Sequence, residues 1–185
     1  LTNNADVGIY EVAYKAAALV AFSLGAFNFI LGPYFSRYYS NNQMKDLQKI
    51  ATFSVIINSI IGLCIATILI LFGKQLIGIL FGLEFSESYI PMLILIGAQY
   101  IGVILGAVAI LLNMVGYEKK VLIGMILGAL INIILNIIFI PIFGVNGAAL
   151  TTVITIAFWK LYMVYISVNK IKIDPTILSV VKYFR

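Results

Sequence analysis

Residues 130–150 read LINIILNIIFIPIFGVNGAAL, an apolar run that carries two asparagines, Asn132 and Asn136, four residues apart. Between residues 141 and 147 the run is interrupted by proline, glycine and asparagine, and then it becomes apolar again. Proline and glycine are the residues that most often end or divide helices. The stretch therefore predicts the end of one helix, a tight turn and the start of the next helix.

The composition of the whole chain assigns these helices to a membrane. Of the 185 residues, 63% are hydrophobic and only 10% are charged, and the mean hydropathy is +1.10. A soluble domain carries roughly a quarter charged residues, so this chain cannot cover itself with a polar surface. We therefore expect a polytopic protein of the lipid bilayer.

Four runs without Asp, Glu, Lys or Arg set the number of predicted spans. A transmembrane helix needs about 20 mostly apolar residues, so the first three runs accommodate one helix each. The fourth run accommodates two helices if the turn divides it. The fold class is thus predicted to be all-α, a membrane bundle of five transmembrane helices. These are expected near residues 8–39, 50–72, 88–114, 120–142 and 147–168, with 169–185 as a cytoplasmic tail or the start of a further helix.

The basic residues alternate between the loops, which predicts the orientation of the chain. Nine of them lie at one set of helix ends, and only Lys74 lies in a loop at the other. Because cytoplasmic loops are enriched in Lys and Arg, the side with nine is predicted to be cytoplasmic. The chain is therefore expected to begin outside the cytoplasmic membrane and to end inside. The nine are Arg37, Lys45, Lys49, Lys119, Lys120, Lys170, Lys172, Lys182 and Arg185.

Topology and anionic inner-leaflet lipid explain the net charge of +5, so no nucleic-acid partner is predicted. One cysteine, Cys64, allows no disulfide within the chain. The first residues lack the features of a signal peptide, and the last ones could begin another membrane segment. We therefore interpret the sequence as a piece of a longer protein.

The two asparagines belong to a ridge in which Gly124 and Gly128 precede them at the same spacing. Small residues let a neighbouring helix approach closely, and amides form hydrogen bonds across such a contact. Two interpretations stay open: Asn132 and Asn136 join two helices, or they line a polar cavity.

Three cations lie inside or at the ends of predicted spans. Lys15, in the outer half of the first helix, either faces a cavity or extends its stem to the outer surface, and Glu11 could pair with it. For Lys160, extension to the inner interface is the favoured interpretation. Arg37 either anchors the first helix among lipid headgroups or binds a phosphate at the cytoplasmic mouth.

Constellations for enzymatic chemistry are not evident in the sequence. The chain has no histidine, and the only acidic residue within a predicted span is Glu11. No cysteine pair, metal-spaced cluster or nucleotide-binding glycine loop occurs. An enzyme is therefore not predicted, and no cofactor or metal is expected.

Three longer motifs follow one another along the chain: VGIYEVAYKAAALVAF with PYFSR, then LFGLEFSESYIPMLIL, then NIILNIIFIPIFGVNGAALTTVIT. Together they resemble the polysaccharide-biosynthesis flippases, which translocate O-antigen and capsule repeat units. The resemblance covers essentially the whole chain in order. It places the chain in the superfamily that also holds multidrug extruders and the lipid II flippase.

The resemblance implies a two-lobed bundle with a central cavity and alternating access, in which this chain forms most of the C-terminal lobe. It implies movement of an undecaprenyl-pyrophosphate-linked oligosaccharide from the inner to the outer leaflet, with a polysaccharide polymerase or ligase as partner. On this basis Lys15 is expected to contact the anion. Further substrate-binding candidates are Asn28, Arg37, Asn132 and Asn136.

Two alternative functions stay open. The first is a multidrug extruder of the same fold, which usually carries acidic residues in the membrane for cation coupling. The second is a membrane-embedded glycan polymerase or acyltransferase, which needs clusters of His, Asp or Arg in its active loops. The outer loops are nearly empty of such groups, which counts against the second alternative.

Overall fold

The computed structural model describes residues 4–183 of the chain, and every regular element in that range is helical. This confirms the all-α fold class and a bundle of membrane-type helices. Four helical stretches in the described range are long and apolar enough to cross a membrane. They are Asn4–Ser40, Met44–Leu80, Leu83–Met114 and Glu118–Ile171.

The stretches divide into six α-helices joined by short turns, and a seventh follows them. The first contains α1 (Asn4–Ala18), a 3₁₀ turn (Leu19–Ala21) and α2 (Phe22–Ser40), and the second is α3 (Met44–Leu80). The third contains a 3₁₀ turn (Leu83–Ser88), α4 (Tyr89–Ile104) and α5 (Val108–Met114). The fourth contains α6 (Glu118–Ile166) and a π turn (Ser167–Ile171), and α7 (Ser179–Tyr183) follows it. The helices extend beyond the charge-free runs because their end turns carry the charged interface residues.

α6 bends at Gly144, where φ is 58° and ψ is −134°. Glycine adopts such angles readily, whereas any other residue would be strained there. A side chain at Gly147 would collide with the backbone of Phe139, so the two arms also need a small residue at their closest approach. Helical geometry resumes directly after Gly144, and for this reason four continuous stretches are found where five separate helices were predicted.

The ridge of small residues on the first arm of α6 packs against the second arm. A Cβ atom on Gly124 would lie 2.8 Å from the ring of Tyr162, and one on Gly128 would lie 3.3 Å from Trp159. Gly128 lies closer to the bend than Gly124 does, and its partner Trp159 likewise lies closer to the bend than Tyr162 does. The two arms therefore run antiparallel in close contact, which confirms the predicted packing role of this ridge.

Lys160 is buried, with 8% of its surface exposed, so the interpretation that it extends to the inner interface is wrong. Its Nζ donates hydrogen bonds to the carbonyl oxygens of Gly102 (3.2 Å) and Gly106 (2.9 Å). These carbonyls lie where α4 ends, and a cation is favourable at a helix C-terminus. Lys160 therefore caps the break between α4 and α5 rather than extending towards lipid headgroups.

The segment after α6 returns to the bundle and docks on α3 and α4. Gln48 donates to the carbonyl oxygen of Asp174 (2.7 Å) and accepts from its N–H (2.8 Å). The N–H of Ile177 donates to the carbonyl oxygen of Ile104, the last residue of α4, at 2.9 Å. The residues that follow α6 are thus part of the packed structure up to the start of α7.

Gly144→Ala is expected to lower the thermal stability of the purified protein. The new side chain would have to adopt φ 58° and ψ −134°, which costs on the order of 1–3 kcal/mol for a residue other than glycine. The measurement is the midpoint of thermal unfolding in detergent. Gly25→Ala is the matched control, because a Cβ atom there would meet nothing within 4 Å. An unchanged midpoint for Gly144→Ala would contradict the bend.

Candidate functional site

An open cleft of about 980 Å³ lies between the start of α1 and the two arms of α6. This volume is in the range of pockets that hold small ligands. Most of its wall is apolar and comes from both sides of the bend at Gly144. Its polar groups are the side chains of Tyr10, Asn132, Asn136 and Thr152.

A chain of hydrogen bonds crosses between the arms of α6 along this cleft. The Thr151 hydroxyl lies 2.8 Å from both Oδ1 of Asn136 and the carbonyl oxygen of Ala148, and these two acceptors share its single proton. Nδ2 of Asn136 donates to Oδ1 of Asn132 at 2.8 Å. Nδ2 of Asn132 then donates to the Thr155 hydroxyl at 3.1 Å. The asparagines therefore join the two helical arms, and both also line the cleft as polar groups in a mostly apolar wall.

The two amides keep hydrogen-bonding capacity for a ligand. Each amide nitrogen carries two N–H groups, and residues 4–183 supply a partner to one of them on Asn132 and one on Asn136. The remaining N–H groups lie on side chains that line the cleft. The site can thus donate to a neutral oxygen without breaking the contacts that hold the arms together.

Tyr10 closes the cleft from the side of α1. Its hydroxyl lies 2.8 Å from the hydroxyl of Thr152, which itself donates to the carbonyl oxygen of Ala148 at 3.0 Å. Either hydroxyl can donate in this pair. When the single proton of Thr152 is used in the bond to Ala148, Tyr10 is the donor and its oxygen can still accept. The ring of Tyr10 stacks on Tyr14 with centroids 6.3 Å apart.

Lys15 lies on α1 but does not line the cleft. Its Nζ forms an ion pair with Glu11 at 2.7 Å, as the spacing of four predicts, and 61% of its side chain is exposed. The pair therefore presents both a cation and an anion on the outer surface of this helix.

Asn28 and Arg37 lie on α2, away from the cleft. Asn28 is half-buried, and its Oδ1 has no hydrogen-bond partner in the part of the chain that the structure describes. Arg37 is exposed one turn before the end of α2. Of the five predicted site residues, the structure brings Asn132 and Asn136 together and leaves Lys15, Asn28 and Arg37 separate.

Sequence reasoning missed Tyr10 and Thr152 as members of the site. The available signal was position: Thr152 follows Gly144 by the same number of residues by which Asn136 precedes it. In an antiparallel hairpin, such residues lie at the same level. No group of three His, Cys, Asp or Glu side chains within residues 4–183 could hold a metal ion.

Comparison with known proteins finds sequence similarity to a flippase. It is 27% identical over 154 residues, or 82% of its length, to the "Probable low-salt glycan biosynthesis flippase Agl15" of Haloferax volcanii. The match covers 32% of that protein, so the chain spans about a third of the length of this relative. No family model matches the chain, and no solved structure matches it. The similarity supports a flippase-like, multi-pass membrane protein.

The contact between Asn136 and Thr151 is expected to contribute measurably to stability. A double-mutant cycle with Asn136→Ala and Thr151→Val should give a coupling free energy of about 0.6 kcal/mol, the average found for hydrogen bonds between membrane helices. The measurement is the free energy of unfolding in mixed micelles. Thr67→Val is the control partner, since Thr67 is exposed on α3 and bonds only within its own helix. A coupling equal to that of the control pair would contradict the network.

Proposed function

We propose that the protein moves a lipid-linked oligosaccharide across the cytoplasmic membrane by alternating access. The observation that carries this proposal is the cleft on the α6 hairpin, whose polar groups are uncharged amides and hydroxyls set in a mostly apolar wall. Sugars present many hydroxyl groups, each of which donates and accepts, and Asn132, Asn136 and Tyr10 offer the matching partners. The similarity to a glycan biosynthesis flippase supports the same substrate class.

A glycan attached to a lipid pyrophosphate makes three physical demands. It needs polar partners for the sugar, a cation for the phosphates and an apolar surface for the lipid chain. In our proposal Lys15 meets the second demand, because an ammonium exposed on a membrane helix can exchange Glu11 for a phosphate. Asn28 and Arg37 are weaker candidates along the same helical stretch. An undecaprenyl-pyrophosphate carrier is the specific substrate that the resemblance implies.

The proposed topology has five spans, with the two arms of α6 counted as separate crossings. The arms cover residues 118–143 and 145–166, and each is long enough for a span of about 20 residues. The chain then forms most of one lobe of a two-lobed transporter. Its first residues lie outside, its last residues lie in the cytoplasm, and a polysaccharide polymerase or ligase acts alongside it.

The alternative functions rank lower on the chemistry of the cleft. A cation-coupled multidrug extruder usually carries a carboxylate in its cavity, and the lining of this cleft contains none. Asp6 lines a smaller pocket that adjoins the cleft at Tyr10 and Gly144, not the cleft itself. Glu11, on the neighbouring face of α1, is held by Lys15. A membrane-embedded polymerase or acyltransferase needs a nucleophile or base among charged groups, whereas the polar groups of this cleft are amides and hydroxyls.

The proposed topology predicts which positions a membrane-impermeant maleimide reaches. In a Cys64→Ala background, single cysteines at Lys45 and Lys119 should react only from the cytoplasmic side, and a cysteine at Lys74 only from outside. All three lysines are exposed, so their replacement disturbs no buried contact. Reaction of the Lys45 position from outside would overturn the topology.

Lys15→Ala is expected to abolish transport in the complete protein while expression stays normal, because the variant lacks the cation proposed to hold the phosphates. Lys15→Arg should retain part of the activity, since the charge is kept but the geometry differs. The measurement is the amount of lipid-linked oligosaccharide that reaches the outer leaflet. Lys74→Ala serves as the matched control, as an exposed lysine in α3. Normal transport by Lys15→Ala would show that Lys15 does not hold the phosphates and that its side chain only extends to the outer membrane surface.

A further inference from the structure

Two clefts meet at the first turns of α3, and neither shares a lining residue with the cleft beside the bend of α6. One, of about 610 Å³, lies between α3 and the segment after α6, and its wall includes Lys45, Lys49 and Lys172. The other, of about 500 Å³, lies between α2 and α3, and its wall includes Phe53 and Ile56. Asp46 and Lys49 line both clefts, so the two clefts adjoin at this turn of α3. We call the two together the groove, with a basic end and an apolar end.

The basic end of the groove carries an excess of positive charge. Lys45, Lys49 and Lys172 surround it, and Asp46 is the only carboxylate of its lining. All three lysines are exposed, and within residues 4–183 no ion pair engages any of them. Unpaired ammonium groups gathered at one place attract an anion, and a phosphate can accept from several of them.

The apolar end follows one face of α3 towards the middle of the helix. Lys49, Phe53 and Ile56 are spaced as neighbours on one helical face, and 62% of Phe53 is exposed. The distance from Lys49 to Ile56 along the axis is roughly 10 Å at 1.5 Å per residue. Charge at one end and an exposed ring one to two turns deeper match a molecule with an anionic head and a hydrocarbon chain.

The docked segment after α6 supplies part of the basic end. Lys172 has a left-handed backbone with φ 63°, and the chain reverses there before Asp174 binds Gln48. Gln48 and Lys172 line the same cleft. The basic end of the groove is thus formed by two segments that are distant in sequence, α3 and the segment after α6. It is therefore more than a row of lysines on the surface of a single helix.

We propose that this groove binds one anionic phospholipid, with its phosphate between the lysines and an acyl chain along Phe53 and Ile56. An anionic lipid fits better than a zwitterionic one, because the positive group of a phosphatidylcholine would repel the same lysines. The groove shares no lining residue with the cleft beside the bend of α6, so this inference stands independently of the proposed function.

The direct test counts phosphatidylglycerol molecules that remain bound to the complete protein in native mass spectrometry. Replacing Lys45 and Lys49 together by glutamine should weaken retention about 25-fold, since each lysine near an anionic lipid contributes about fivefold. Lys119→Gln with Lys120→Gln is the matched control, because both lysines are exposed on the first turn of α6 and line neither cleft. Equal losses for the two pairs, or no loss for either, would overturn the proposal.

A second pair of variants tests the acyl chain. Phe53→Ala should also lower the retention of phosphatidylglycerol, whereas Phe29→Ala should not, although 87% of Phe29 is exposed on α2. Added inorganic phosphate should not displace the bound lipid, because it lacks the chain. If Phe53→Ala leaves retention unchanged, or if inorganic phosphate displaces the lipid, the groove binds phosphate alone and the lipid proposal is wrong.

Discussion

In a bilayer no water reaches a free backbone carbonyl, so each interruption of a helix needs a partner from the protein itself. The break between α4 and α5 shows how this chain meets that constraint. Lys160 donates to the carbonyls of Gly102 and Gly106, and the N–H of Ile177 donates to Ile104. A buried cation and a returning segment therefore take the place of the next helical turn.

The same constraint shapes the hairpin of α6. There the backbone turns at one glycine, and Asn132, Asn136 and Thr151 on the two arms bond to each other rather than to lipid. Asn132 and Asn136 hold the arms together and still present N–H groups to the cleft. An uncharged site of this kind can bind hydroxyl groups at membrane depth without the cost of an unpaired charge.

The features that depend on composition or on local pattern could be predicted from the sequence. Hydropathy locates the helices, the glycine-rich interruption locates the bend, and the spacing of Gly124, Gly128 and the asparagines locates the contact between the arms. The Glu11–Lys15 pair also follows from spacing alone. In each case the residues that interact lie on one helix or on two segments joined by a short turn.

Features that depend on contacts between distant segments could not be predicted. The partners of Lys160 lie near the end of α4 and in the break that follows it, and no local pattern connects them to Lys160, so its burial was missed. Tyr10 joins the cleft only because α1 packs beside the hairpin. Helix lengths were underestimated at α3, since charged end turns continue a helix that hydropathy alone would stop.

The claim that the protein flips a glycan-linked lipid is tested most directly in cells depleted of the complete protein. The quantity to measure is the amount of lipid-linked oligosaccharide on the cytoplasmic leaflet, before and after re-expression. Our account predicts that this lipid builds up on depletion and falls again when the protein returns. No build-up, together with an unchanged surface glycan, would contradict it.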